Sequence, residues 1–230
     1  MRARWQTLPE PLPADPLPLA RDWLQQACDG KVQPNPDAMS LATVDAAGQP
    51  SVRIVLCKEI VADPGYLVFY TNYDSRKGRE LAAAARAAVV FQWDPLGRQL
   101  RVEGLVLRSP VTESDAYFAS RPWQNRLAAI TSAQSRPVAS RASLLERLGE
   151  NARRLRTPDP FDAATATSPI DPDLPRPPYW GGFRLWAEAV ELWVEGAHRL
   201  HDRARYRRSL SPVDDSRFDT GPWRHERLQP

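Results

Sequence analysis

Arg199, His201 and Arg203 stand two residues apart in a short segment that opens with Trp193 and also holds His198 and Asp202. On an extended strand, side chains two apart project to one face. Spaced so, Arg199, His201 and Arg203 form a row, with Leu200 and Asp202 opposite. Such a row makes a poor core and a good anion-binding surface. The same spacing also suits the solvated outer face of an edge strand. Ligand chemistry therefore needs support from the rest of the chain.

Four other groups are suited to anions. Arg53 and Lys58 share a strand-like run but are five apart, so a regular strand puts them on opposite faces. They converge on one anion only across a bulge; otherwise each serves a different group. The run Tyr70, Thr71, Asn72, Tyr73, Asp74, Ser75, Arg76, Lys77 reads as a strand-to-helix junction. Free N–H groups, the helix dipole, a hydroxyl and two cations suit a phosphate there. A capped helix with exposed Arg76 and Lys77 is the equal alternative. Tyr117 and Arg121 lie at i and i+4 on one helical face and can reach one anion, or form an ordinary surface pair. Gln134 and Ser135 sit in a polar stretch that says little alone.

The chain contains no zinc-ligand spacing, nucleophile elbow, P-loop or dinucleotide Gly-x-Gly-x-x-Gly pattern. Phosphate-suited groups without an evident redox or nucleophilic side chain imply a bound phosphorylated cofactor with its own reactivity.

The elements that must position these residues are mostly strands. Residues 1–37 read as a proline-rich extended arm and a short helix carrying Leu19, Trp23, Leu24 and Ala27, ended by Gly30. Strands are expected over Ala38–Asp45, Ser51–Ile60 and Gly65–Asn72, joined as hairpins into an antiparallel meander. A helix is expected over Arg76–Ala88 from an N-cap at Ser75. Strands Val89–Trp93 and Gln99–Arg108 follow, around a turn at Asp94. A helical insert covers about 112–156, broken at Pro122. Residues 157–178 lack periodicity and read as a flexible loop. Two strands start from Trp180, another spans His198–Arg208, and a short last one spans Trp223–Leu228. Seven or so antiparallel strands with inserted helices predict a mainly β protein (α+β) in which residues 38–230 form a small barrel, the architecture that removes sheet edges.

Lys+Arg number 31 against 28 Asp+Glu, a formal net charge of +3, which does not call for nucleic acid. Cys28 and Cys57 have neither metal nor redox spacing, so free thiols in a reducing compartment are expected. The start leads into prolines rather than an apolar run, and no run approaches a membrane span. A soluble, cytoplasmic protein with no membrane partner is the expectation.

With these residues in place the chain resembles the pyridoxamine/pyridoxine 5′-phosphate oxidase family. The matching pieces are Arg53 to Lys58, Phe69 to Asn72, Ser75 to Lys77, Arg98-Gln99, Tyr117 to Pro122, Gln134-Ser135, Trp180 to Arg184 and His198 to Arg203. They run in the family's order from about residue 38 onward. Eight in register are specific where no single one is.

The resemblance implies an antiparallel split β-barrel and a homodimer with FMN at the interface. It implies oxidation of pyridoxamine 5′-phosphate or pyridoxine 5′-phosphate to pyridoxal 5′-phosphate, with O2 as acceptor and H2O2 as by-product, plus ammonia from the amine. Carried over by position, Arg53, Ile54, Val55, Leu56, Lys58, Tyr70, Thr71, Arg76, Lys77, Gln99, Gln134, Ser135, Trp193 and Arg203 surround the flavin. Lys58, Tyr117, Arg121 and Asn125 take the substrate phosphate. Arg199 and His201 cover the pyridine ring and are the catalytic pair. Asn125 stands where the family usually has serine, Trp123 to Ala128 depart from its pattern, and the 157–178 insertion is longer than usual. An FMN oxidoreductase of the phenazine type and a non-catalytic flavin- or haem-binding split barrel are the alternatives.

Overall fold

The structure is a computed structural model that describes residues 7–162 and 171–230. Residues 1–6 of the arm and 163–170 of the expected loop lie outside the described residues. The chain falls into two compact units. One comprises Met1–Phe69, Glu80–Arg108 and Phe183–Pro230; the other comprises Tyr70–Arg79 and Ser109–Gly182.

The first unit is built on strands β1 (Ala38–Val44), β2 (Pro50–Val61), β3 (Tyr66–Asn72), β4 (Arg86–Trp93), β5 (Arg98–Arg108) and β6 (Trp180–Val194). They pair in the order β6-β3-β2-β1-β4-β5, and β5 pairs back onto β6, which closes a six-stranded barrel. Its pairs with a recorded register are antiparallel. Alternation explains why these segments are strands. Met39, Leu41 and Thr43 of β1 are buried in turn, as are Ala87, Val89, Phe91 and Trp93 of β4. β7 (Asp202–Arg207) pairs on β6, and β10 (Arg224–Leu228) pairs on β7. Helix α1 (Leu17–Asp29) buries Leu17, Ala20, Trp23, Leu24 and Ala27, the stripe its period requires.

Two bulges adjust the alternation. In β2, Cys57 faces Phe69 and Glu59 faces Val68, so Lys58 is the extra residue. In β6, Ala189 faces Glu103 and Ala187 faces Gly104, so Glu188 is extra. Val190, Leu192 and Val194 are buried before that bulge in register terms, and Leu185 and Ala187 after it, which reverses the inward parity.

The second unit holds helices α3 (Val111–Ala119), α4 (Trp123–Thr131) and α5 (Arg141–Arg154). Trp123, Leu127, Ala152 and Leu174 form its core cluster. Leu174 belongs to the expected loop, and it is buried. Arg126 pairs with Asp171, and Arg176 pairs with Asp115 at 2.7 Å. The segment 171–178 has no regular structure but is anchored at three points. Helix α2 (Arg76–Ala83) begins in this unit and ends in the first.

Several boundaries differ from expectation. Helix α2 ends at Ala83, not Ala88, because residues 86–88 pair with β5 and Ala88 also pairs with Ala42 of β1. Sheet pairing outweighs alanine's helix propensity there. The region from Trp180 holds one 15-residue strand rather than two. A hairpin of β8 (Leu210–Asp214) and β9 (Arg217–Thr220) was not expected, since its burial is limited to Phe218. That makes ten strands among the described residues.

Candidate functional site

The largest correction concerns Arg199, His201 and Arg203. They do not form a strand row. Ala197–Arg199 is a single 3-10 turn in which His198 has φ 53° and Arg199 has φ 66°. A tight approach at Gly196 forces the fold-back: a Cβ there would lie 1.7 Å from the Leu200 carbonyl oxygen. The Leu200 N–H donates to the Ala197 carbonyl at 2.9 Å, and the His201 N–H donates to the Arg199 carbonyl at 2.9 Å. The Gly196 N–H donates to His201 Nδ1 at 3.2 Å. With Nδ1 accepting, a neutral His201 carries its proton on Nε2.

The remaining residues of the row are brought together another way. Gln99 is paired with Trp193 across β5 and β6, and Trp193 with Arg203 across β6 and β7. Three strands thus set Gln99, Trp193 and Arg203 side by side. The imidazole of His201 packs 4.5 Å from the Trp193 ring. Arg203 is fixed by Glu191, which accepts from its Nε at 3.0 Å and its Nη2 at 2.8 Å. Arg101 Nη1 donates to the other Glu191 oxygen at 3.2 Å. One buried carboxylate therefore orients two guanidiniums. Sequence reasoning missed Glu191, although alternation places it on the same face as Trp193.

On β2 the cations part company. Arg53 Nη1 donates to the Leu41 carbonyl at 3.1 Å and to Thr43 Oγ1 at 2.5 Å. Its Nη2 donates to Ser51 Oγ and to Glu80 Oε2, the latter at 3.2 Å. Lys58, on the bulge, pairs with Asp37 at 2.8 Å. The bulge that convergence required is present, yet each cation keeps its own partners. Between them, Ile54 and Leu56 are exposed with Val52, an outward apolar row, and Val55 is half-buried. Burial pushes the Cys57 thiol up to about 12, so it is no nucleophile at neutral pH.

In the second unit, Ser75 caps α2, its Oγ accepting from the Gly78 N–H at 3.2 Å. Lys77 is nearly buried. Its ammonium donates to Thr71 Oγ1 at 3.0 Å, to Ser75 Oγ at 3.4 Å and to Gln134 Oε1 at 2.8 Å. Thr71, Lys77 and Gln134 are thus one cluster, whereas Arg76 is exposed. Ser135 follows Gln134 with φ 67°. The helix-start reading of Tyr70 to Lys77 and the polar Gln134 stretch therefore meet in space.

Tyr70 and Tyr117 are stacked with centroids 3.9 Å apart. Trp180 is parallel to both, 5.7 Å from Tyr70 and 6.2 Å from Tyr117. The Arg121 guanidinium lies 4.8 Å over the Trp180 ring. Asn125 is exposed on α4. Trp180 had signalled a strand start and one of the family-like pieces, but nothing local in the sequence ties it to Arg121.

A flavin mononucleotide needs a flat wall with hydrogen-bonding edges and a buried cation at a helix start. The Gln99–Trp193–Arg203 ladder of the first unit has the chemistry of the wall, and the Lys77 cradle of the second has that of the buried cation, so each set of residues fits its own part of the group. No group of three or more His, Cys, Asp or Glu side chains suited to a metal occurs among the described residues. No helix among them is long and apolar enough to cross a membrane.

Residues 25–153 match the family model for pyridoxamine 5′-phosphate oxidase, and residues 180–230 match the pyridoxine 5′-phosphate oxidase C-terminal dimerisation region. A pyridoxine/pyridoxamine 5′-phosphate oxidase of Cereibacter sphaeroides is 45% identical over 217 residues, 94% of this chain and 95% of that protein. One of Cupriavidus taiwanensis is 47% identical over 216 residues, 94% and 89%. Among solved structures, PhzG from Burkholderia lata 383, in complex with tetrahydrophenazine-1-carboxylic acid, superposes with a TM-score of 0.75 at 28% identity, covering 95% of this chain and 94% of PhzG. The barrel, the site residues in family order and these matches place the chain in the pyridoxamine 5′-phosphate oxidase family.

Proposed function

We propose that the protein oxidises pyridoxamine 5′-phosphate or pyridoxine 5′-phosphate to pyridoxal 5′-phosphate. O2 is reduced to H2O2; with the amine, water is consumed and ammonia released. The observation that carries this reading is the Gln99–Trp193–Arg203 ladder with His201 packed on Trp193. Bound FMN supplies the hydride-accepting chemistry that the side chains lack.

The chain's own work is orientation and charge placement. Thr71, Lys77 and Gln134, with Arg53, Arg76 and Ser135, serve the cofactor's phosphate end. Gln99, Trp193 and Arg203 serve its ring. Lys58, Tyr117, Arg121 and Asn125 hold the substrate phosphate away from the reacting carbon. Arg199 and His201 cover the substrate ring, and His201 presents its proton at Nε2. The exposed row Val52, Ile54 and Leu56, together with the dimerisation-region match, supports a homodimer.

The test is peroxide release from purified protein on adding either substrate, with and without added FMN. Flavin bound in equimolar amount without peroxide from either substrate would overturn this reading and leave the alternatives, an oxidoreductase of another substrate or a binding protein. A second reading, an FMN oxidoreductase of the phenazine type, is favoured by the likeness to PhzG. Peroxide from a reduced phenazine carboxylate and not from the phosphorylated pyridines would select it. Lys58→Ala should raise the KM for pyridoxine 5′-phosphate about tenfold, the value of one charge-assisted contact. Steady-state kinetics at fixed FMN checks this, and an unchanged KM removes Lys58 from the phosphate subsite.

A further inference from the structure

Arg121 is the one cation of the assigned substrate set that is held by rings. Its guanidinium sits 4.8 Å over Trp180 and 5.7 Å from Phe118. Phe118 meets Trp180 edge-on at 5.0 Å. Trp180 itself is buried, 6% exposed, and nearly parallel to both Tyr70 and Tyr117. Arg121 Nη1 is buried and has no hydrogen-bond partner among the described residues. Burial draws the guanidinium below the usual arginine value; Tyr117 opposes this and nearby Arg126 adds to it.

A buried donor without an acceptor is costly. An aromatic face offsets part of that cost for a cation but leaves the in-plane N–H groups unsatisfied. The backbone next to Trp180 is closely packed as well. A Cβ at Gly181 would lie 2.1 Å from Tyr73 Oη, and one at Gly182 would lie 2.8 Å from Tyr70 Cε1. The two glycines therefore let the strand start press against the tyrosines, and Trp180 has little freedom to tilt.

We propose that Trp180 is a positioning residue that sets specificity for a phosphate monoester. Its indole fixes the plane of the Arg121 guanidinium and keeps water from its face. Nη1 is then left as a donor that a phosphate oxygen satisfies and an alcohol in the same place satisfies poorly. This deepens the reading above and rests on its assignment of Arg121 to the substrate phosphate.

The experiment compares the Kd of pyridoxal 5′-phosphate with that of unphosphorylated pyridoxal by calorimetry. It uses FMN-saturated wild type, Trp180→Phe, Trp180→Leu and Arg121→Lys, each with a thermal melt. The wild-type preference for the phosphorylated ligand should fall about tenfold in Trp180→Leu, the scale of a desolvated cation–π contact. Trp180→Phe, which keeps a ring face, should restore most of it. Arg121→Lys, which keeps charge without the flat fork, should fall like Trp180→Leu. A role in packing alone would lower the melting temperature and leave the ratio of the two Kd values unchanged. An unchanged ratio in Trp180→Leu overturns the inference, as does full preference in Arg121→Lys if Trp180→Leu does not fold. No wild-type preference for the phosphorylated ligand overturns it too. Peroxide from pyridoxine 5′-phosphate with an unchanged ratio sinks this inference alone. A ratio that falls in a protein releasing no peroxide sinks the oxidase reading alone.

Discussion

Arg199→Ala is expected to lower kcat with pyridoxine 5′-phosphate about hundredfold while FMN binding stays at wild-type stoichiometry. The reason lies in the turn rather than in charge alone. Arg199 has φ 66°, a left-handed conformation that side chains other than glycine adopt at a cost. Two 2.9 Å backbone hydrogen bonds and the fold-back at Gly196 hold it there. Its side chain makes no hydrogen bond or ion pair with any described residue. The turn thus orders the backbone of a cation that the protein does not itself use, next to His201. In the proposed reaction that cation presses the substrate ring into place, so its loss falls on turnover and not on the cofactor. Rapid-reaction measurement of flavin reduction, with absorbance for bound FMN, checks both halves. A kcat within twofold of wild type would remove Arg199 from the catalytic pair.

Gly104→Ala is expected to cost about 3 kcal/mol of stability, which for a chain of this size is a fall in Tm of about 10 °C. Gly104 lies where β5 meets the β6 bulge. A Cβ there would stand 1.8 Å from the Trp186 carbonyl oxygen and 3.0 Å from the Glu188 nitrogen. Both obstacles are backbone in the pairing that closes the barrel, so no side chain can move aside. Gly48→Ala is the control. Gly48 has φ 83° and nothing within 4 Å of an added Cβ, so it carries only conformational strain, about 1 kcal/mol. Thermal melts followed by circular dichroism should separate the two. Equal losses at both positions would show that the β5–β6 closure yields.

These expectations indicate which parts of the molecule can be read from the sequence. Strands β1, β4 and β5 were legible because each buries every second residue, and β2 and β3 because β-branched and aromatic residues run between turn signals. The end of α2 was not. Alanines favour helix until another strand claims their backbone groups, and that claim comes from β5 and β1. The turn at 197–199 was masked by Arg, His and Arg at strand-like spacing. What overrules that spacing is the approach of Leu200 to Gly196, which no alternation records. In the candidate site, residue types and family order singled out Lys77, Gln134, Gln99, Trp193 and Arg203 as candidates, and the fold groups Lys77 with Gln134 and Gln99 with Trp193 and Arg203. Trp180 was not legible as a partner of Arg121, because the stack joins two remote stretches of chain. Glu191 could have been found by counting two back from Trp193.

The bulge at Lys58 divides β2 into two reading frames. Upstream, odd-numbered residues turn inward, ending at Cys57; downstream, Ile60 does. The side chain at 58 can therefore be exchanged with no effect on the frame, since the bulge is a matter of backbone count. Removing the residue would restore plain alternation, with Cys57 and Ile60 still inward and Glu59 still outward. The extra residue thus lengthens the strand by one without turning a neighbour over: its chemistry and its place in the count are separate properties of one residue.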